Sequence, residues 1–236
     1  MNAPAIAIET STTRGSVALF SGGRCAAERV LAAGARSTQP LFVALREMLA
    51  GASLAPAEVR AWIVGRGPGH YSGLRVAMVL ARSIALPSGA GVYAVSSGGA
   101  LAAEILDGAP DAPVAVVGDA RRGRLWFGLF ERAPSGARAA VDWRLIRPEE
   151  LASLVPPGGV AVTSERARLE ALGAIDAAGS RAVRWIAGDR HPTARRAGEW
   201  ALRRMELGEA SDPLAPLYMH PAVDPAAGRA DGGGRP

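Results

Sequence analysis

The sequence predicts an α/β protein in which one plan, a β-hairpin leading into alternating strands and helices, is used twice. Three observations carry that expectation. A buried strand, a polar turn and a second strand open the chain at "AIAIETSTTRGSVALF", residues 5 to 20. The same order recurs from Pro113 onward in "VAVVGDARRGRLWFGLFE". Each hairpin is followed by short apolar runs of strand length that alternate with helical patterns, which predicts parallel strands joined to an antiparallel hairpin.

The elements follow in order. "AIAIE" and "SVALF" are strands, and the hydroxyl-rich link between them, ending in glycine, predicts a hairpin turn. "RCAAERVL" continues as a third strand. "STQPLFVALREMLAGA" begins with Ser37 and Thr38 as helix-start residues, has proline in the first turn and reaches Gly51 at its far end, so it reads as a helix. "AWIVG" is a buried strand, and a helix from about Ser72 to Leu86 is stopped by Pro87. "GVYAVS" and "SGGALAAEIL" complete the first copy as strand and helix. In the second copy, "VDWRLI" is a strand, Pro148 opens a helix through "EELASL", "GVAVTS" is a strand, "ERARLEAL" a helix and "RAVRWI" a strand. A long helix from about Thr193 to Leu207 is closed by Gly208. The linker "LDGAPDAP" divides a first unit, 1–108, from a second, 109–222. The end, 223–236, has no apolar periodicity and is expected to be disordered.

Composition excludes several chemistries. All 27 basic residues are arginine, so a Walker-type phosphate lysine and lysine Schiff-base or general-base chemistry are ruled out. The histidines are His70, His191 and His220, with no H-x-x-x-H or H-E-x-x-H pair, and Cys25 is the single cysteine. A transition-metal site is therefore not expected, nor is an internal disulfide. Ser72 does not lie in a G-x-S-x-G elbow. No apolar run approaches the roughly 20 residues that span a bilayer, and the start lacks the basic and apolar regions of a secretion signal. The cytoplasm is the expected location. The net charge is +5, with residues 119–147 carrying 7 arginines against 3 acids and 181–204 carrying 7 against 2. Those segments are either solvated faces or a basic surface for nucleic acid or an acidic partner.

Two loops are candidates for phosphate. In the first hairpin, Thr10, Ser11 and Thr12 bring hydroxyls and amide groups to the end of a buried strand. "GRGPGHYSGLR", residues 65 to 75, leads from a strand into a helix. Gly67, Gly69 and Gly73 allow close approach there, and Ser72 is placed to cap the helix. The loop can hold a phosphate, hold a partner or turn the chain, and its spacing matches neither a P-loop nor a dinucleotide fingerprint. The helix beyond it is apolar on more than one face, as is the helix at 37–50. Such helices are buried on both sides, by their own domain or by a second chain.

"AIETSTTRGSVALF", "GRGPGHYSGLR" with its helix, "VSSGGALAAE", "GDARRGRLWFGLFE" and the late "APLYMHP" resemble, in this order, the TsaB (YeaZ) family, over about residues 4 to 222. The resemblance implies a two-lobed actin-like (ASKHA, ribonuclease H-like) fold. It implies a non-catalytic partner that pairs with and activates TsaD when N6-threonylcarbamoyladenosine is formed beside the anticodon of tRNAs reading ANN codons. TsaE, an ATPase, is the further expected partner, with a homodimer when the chain is alone, and tRNA is met through the complex. No cofactor of its own is expected, although ATP or ADP at an interface shared with TsaD is a candidate. It also assigns the partner face to the two apolar helices, here taken as Leu41, Leu45, Met48, Arg75, Met78, Ala81 and Arg82, with no catalytic and no metal-binding residue. Two departures stand out. Glu9-Thr10-Ser11 replaces the usual Asp-Thr-Ser, and the metal-binding H-x-x-x-H of TsaD itself is missing. An actin-like ATPase or phosphotransferase is the alternative function. A glycoprotease is a weaker one, since metal ligands and an evident nucleophile are lacking.

Overall fold

The structure is a computed structural model that describes residues 3–31, 39–108, 112–175 and 183–220. The tail at 223–236 and the helix start at Ser37 and Thr38 lie outside the described residues. Two five-stranded sheets share one topology, as the repeated pattern predicts. In the first, β1 (Ala5–Glu9), β2 (Ser16–Ser21), β3 (Arg24–Val30), β4 (Ala61–Gly65) and β5 (Gly91–Val95) lie in the order β3-β2-β1-β4-β5. In the second, β6 (Val114–Arg121), β7 (Arg124–Ala133), β8 (Gly136–Ile146), β9 (Val160–Val162) and β10 (Arg184–Trp185) lie in the order β10-β9-β6-β7-β8. The first three strands of each sheet are antiparallel and the last two join in parallel. This is the two-lobed actin-like plan.

The side-chain alternation of β1 explains the layering. Ile6 and Ile8 point to one face, where α1 (Gln39–Gly51) and α2 (Tyr71–Ala85) pack. Ala5 and Ala7 point to the other, where they meet α6 (Ala194–Glu206). Small residues on that second face let the helix come close, and Gly198 of α6 lies so near that a Cβ would stand 2.3 Å from the Phe20 ring. Beside α6 runs α3 (Ser97–Gly108), whose residues 97–103 are all buried because it is enclosed between the two sheets. On the far face of the second sheet, α4 (Leu151–Leu154) and α5 (Arg166–Ala171) cover Ala115, Val117 and Phe127. The layers therefore run α1/α2, first sheet, α3/α6, second sheet, α4/α5.

This packing amends the expected boundary. The stretch 109–222 contains α6, but α6 crosses β1, β2 and β4 of the first lobe, because its buried stripe of Ala194, Ala197, Gly198 and Ala201 matches the alanine face of that sheet. The chain after α6 first runs along that lobe, before His220 reaches the Ala120 carbonyl of β6 in the second. Asp212 bridges to Ala94 at the edge of β5, and the Leu217 N–H donates to the Arg66 carbonyl at 2.8 Å. Among the described residues no helix is long and apolar enough to cross a membrane.

Candidate functional site

The glycine loop sits at the ends of β1 and β4, where the topology brings it against the first hairpin turn. Gly69 lies on the Ser11 carbonyl, and an added Cβ would be 2.1 Å from that oxygen. A Cβ on Gly73 would be 2.3 Å from the Thr10 carbonyl oxygen. Both contacts are between backbones of one chain. They are tied by the His70 N–H donating to the Ser11 carbonyl at 2.7 Å and the Thr10 hydroxyl donating to the Gly73 carbonyl at 2.9 Å. The Gly67 N–H donates to Ser97 Oγ at 3.0 Å, and the Ser11 N–H to Glu9 Oε1 at 2.6 Å. Thr12 Oγ1 meets His191 Nδ1 at 3.1 Å.

Thr10, Ser11, Thr12, Gly67, Gly69 and Gly73 are thus brought together. Ser72 is not, since His70 occupies the N-cap position of α2 and Ser72 is an exposed residue of the first turn. The amide groups of Ser11, Gly67 and His70, which a phosphate would need, are already bonded within the chain. The glycines therefore serve the contact between loop and hairpin.

Glu9 closes this junction from beneath. Its carboxyl is fully buried, with Oε2 lacking any hydrogen-bond partner, and a Cβ at position 65 would fall 1.9 Å from that oxygen. Gly65 thus makes room for a side chain one methylene longer than aspartate. Burial pushes the Glu9 carboxyl above its usual range, against the opposing pull of Ser11. In the second lobe Asp119 plays a turn role. Its carboxylate accepts the Arg121 N–H at 2.7 Å and pairs with Arg121 at 2.9 Å and Arg168 at 2.6 Å. Burial would raise this carboxyl, but the Arg121 N–H and the Arg168 guanidinium outweigh it and hold it below the usual range.

The partner face assigned from the sequence needs correction. Leu41, Leu45, Met48, Met78 and Ala81 are buried beneath their helices against the first sheet, and Ala81 is 0% exposed. Only Arg75 and Arg82 of that set face outward. The outward side is formed instead by Phe42 at 51% exposure on α1 and by Val79 at 64% and Leu86 at 81% on and just past α2. Beside them Tyr71 stacks on Tyr218 of the C-terminal segment, ring centres 4.7 Å apart, with the Arg75 guanidinium over Tyr71 at 5.1 Å. Phe42 and Val79 fall outside the core-facing spacing of their helices, which is the signal that could have singled them out. Nothing local pointed to Tyr218 or Arg168, whose partners are distant in sequence. Among the described residues no group of three or more His, Cys, Asp or Glu side chains could hold a metal ion.

Residues 32–180 match the family described as TsaD: tRNA N6-adenosine threonylcarbamoyltransferase. Two curated relatives carry the name tRNA threonylcarbamoyladenosine biosynthesis protein TsaB. The one from Bacillus subtilis is 30% identical over 53% of this chain, and the one from Haemophilus influenzae is 29% identical over 64%. The alignments span 54% and 65% of those relatives' own lengths. Among solved structures, YeaZ from Pseudomonas aeruginosa superposes with a TM-score of 0.74 at 25% identity, covering 92% of this chain and 99% of that one. A Pseudomonas aeruginosa protein described as similar to peptidase YeaZ gives a TM-score of 0.77 at 23% identity, covering 92% and 100%.

Proposed function

The chain belongs to the family of the tRNA N6-adenosine threonylcarbamoyltransferase TsaD, in its TsaB (YeaZ) branch, and on that premise we propose that it is the non-catalytic partner of a TsaD transferase in making threonylcarbamoyladenosine on tRNA. The observation that carries this reading is the outward face of α1 and α2. Both helices already fill the core with their inner sides, yet Phe42, Val79 and Leu86 remain exposed on the outer side. Apolar side chains left exposed on the outer sides of both helices, with Arg46, Arg75 and Arg82 exposed along the same helices, suit a second protein. TsaD is the proposed occupant, with a second copy of this chain taking its place when TsaD is absent. TsaE joins the pair, and tRNA is met by the assembly.

The chain needs no cofactor of its own in this reading. The internal satisfaction of the Ser11, Gly67 and His70 amides supports that, and an adenine nucleotide at the shared interface would be held mainly by TsaD. The ATPase and glycoprotease readings find no comparable support. Thr12 is the hydroxyl in contact with His191, and it lies in a turn where the Arg14 N–H also donates to it. The test is reconstitution from purified proteins with tRNA and threonylcarbamoyl-adenylate. The expected result is no modified nucleoside from this chain alone and product when TsaD is added. Product from this chain alone would overturn the proposal.

A further inference from the structure

The tip of the β6–β7 hairpin is built against its own backbone preference. Arg122 and Gly123 are the two central residues of the turn between the paired Arg121 and Arg124, with φ of 54° and 67°. Asparagine or glycine normally fills the first of these positions, because a bulky side chain is disfavoured at positive φ. Arg121, at φ 70°, is held in the same region. Two consecutive left-handed arginines are the costlier choice for making a turn, so the turn does not explain them.

Their surroundings do. The buried Asp119 carboxylate holds Arg121 and Arg168 together, and both arginine side chains stay more than half exposed. Both Asp119 oxygens are engaged by these two arginines, Oδ1 by the Arg121 N–H and Oδ2 by the two guanidiniums. Glu165 accepts the Asp119 N–H, and two residues earlier the Thr163 carbonyl accepts the Arg190 N–H, which brings Arg190 to the same end of the sheet. The next residue, His191, contacts Thr12, so exposed Arg14 in the first hairpin turn borders the patch from the other lobe. Arg122 and Arg124 form no ion pair with a described carboxylate, although Arg124 acts on Glu150 at longer range. No large apolar side chain is exposed among the described residues of the second sheet or of α4 and α5. The apolar centre of a protein interface is thus missing here.

We infer that this arginine patch, formed by Arg121, Arg122, Arg124, Arg168 and Arg190 with Arg14 at its border, binds the phosphate backbone of a folded RNA without reading its bases. Guanidiniums prepositioned by a buried carboxylate, with no exposed aromatic ring for base stacking, suit repeated phosphates. The patch lies on the second lobe and the α1/α2 face on the first, so RNA and a protein partner can be bound together. The inference takes only its choice of RNA from the function proposed above.

The test is fluorescence anisotropy of a labelled tRNA transcript, and of an unrelated RNA hairpin, against the full-length chain over a sodium chloride series. Each phosphate contact contributes roughly 0.7–0.9 to the log–log salt slope, which amounts to about tenfold in affinity between 1 M and 50 mM salt. Arg122→Gly removes a charge while giving the turn its preferred residue, so its melting temperature should stay equal or rise. It should nonetheless flatten the slope by about one contact and weaken both RNAs about tenfold at 50 mM. Adding Arg124→Gln should double the loss of slope. Unchanged slopes in both variants would overturn the inference. So would polyglutamate or inorganic triphosphate competing as well as RNA at equal charge, which would make the site one for acidic protein or for free phosphate. A chain that supports modification with unaltered slopes refutes the patch alone. One that binds RNA through the patch but supports no modification refutes the role alone.

Discussion

Replacing Gly73 by alanine tests whether the glycine loop exists to press α2 onto the first hairpin. The new Cβ would lie 2.3 Å from the Thr10 carbonyl oxygen and 3.3 Å from the Thr10 carbonyl carbon. Since ordinary contacts are about 3.5 Å, the first turn of α2 must retreat by about 1 Å. Overpacking of this kind costs about 1–3 kcal/mol. The retreat also strains the Thr10 hydroxyl bond to the Gly73 carbonyl and the His70 N–H bond to the Ser11 carbonyl, at about 1 kcal/mol each. Better helix propensity returns about 1 kcal/mol, leaving a net loss of about 2–4 kcal/mol. For a chain of this size that lowers the melting temperature by about 4–16 °C. Circular dichroism melts of Gly73→Ala should show this loss, while Gly51→Ala, where nothing lies within 4 Å, should melt at or slightly above the parent. A Gly73→Ala protein as stable as its parent would refute the reasoning, because the loop would then have slack that the backbone contacts deny.

Two other perturbations follow from buried acids. The folded-state pKa of Glu9 is raised, so its contribution to stability is fully present below the ordinary glutamate value and is lost as pH rises through the raised one. Glu9→Gln should therefore melt higher than the parent at neutral pH, with the difference closing in acid, and a parent melting temperature independent of pH in that range would contradict the burial argument. Asp212 accepts the Ser96 N–H at 2.7 Å and pairs with Arg204 at 2.9 Å, fastening the C-terminal segment to the edge of β5. Asp212→Ala should speed hydrogen exchange at Ser96 and Leu217 with little change in helix content, and unchanged exchange would mean the segment is held elsewhere.

The fold was legible because its signals are local. The alternation of large and small residues along "AIAIE", the prolines at 87 and 148 and the glycines at 51 and 208 each act within a few residues, and the repeated hairpin announced the second sheet. The place of α6 was not legible, since nothing near Ala197 and Gly198 indicates that their match is the alanine face of β1, nearly two hundred residues earlier. The same limit applied to the partner face. Apolar excess on α1 and α2 was visible, but which apolar residues lie outward depends on where the sheet sits. Ala81 and Met78 therefore fell inside, while Val79 fell outside. The glycines of the 65–75 loop signalled close approach correctly. What approaches them, the backbone of Thr10 and Ser11, is set by the β1–β4 pairing.

The central claim is that the outer face of α1 and α2 receives the partner, and Val79→Arg addresses it most directly. At 64% exposure the arginine is accommodated in the free chain, so circular dichroism and the melting temperature should stay close to those of the parent. Within a packed interface the same charge, unpaired, costs about 3–5 kcal/mol, a large share of the about 8 kcal/mol that holds a micromolar pair. Analytical ultracentrifugation of the variant mixed with purified TsaD should show two separate species under conditions where the parent chain sediments with TsaD as one complex. A folded Val79→Arg protein that still sediments with TsaD at parental affinity would contradict the account and place the interface elsewhere.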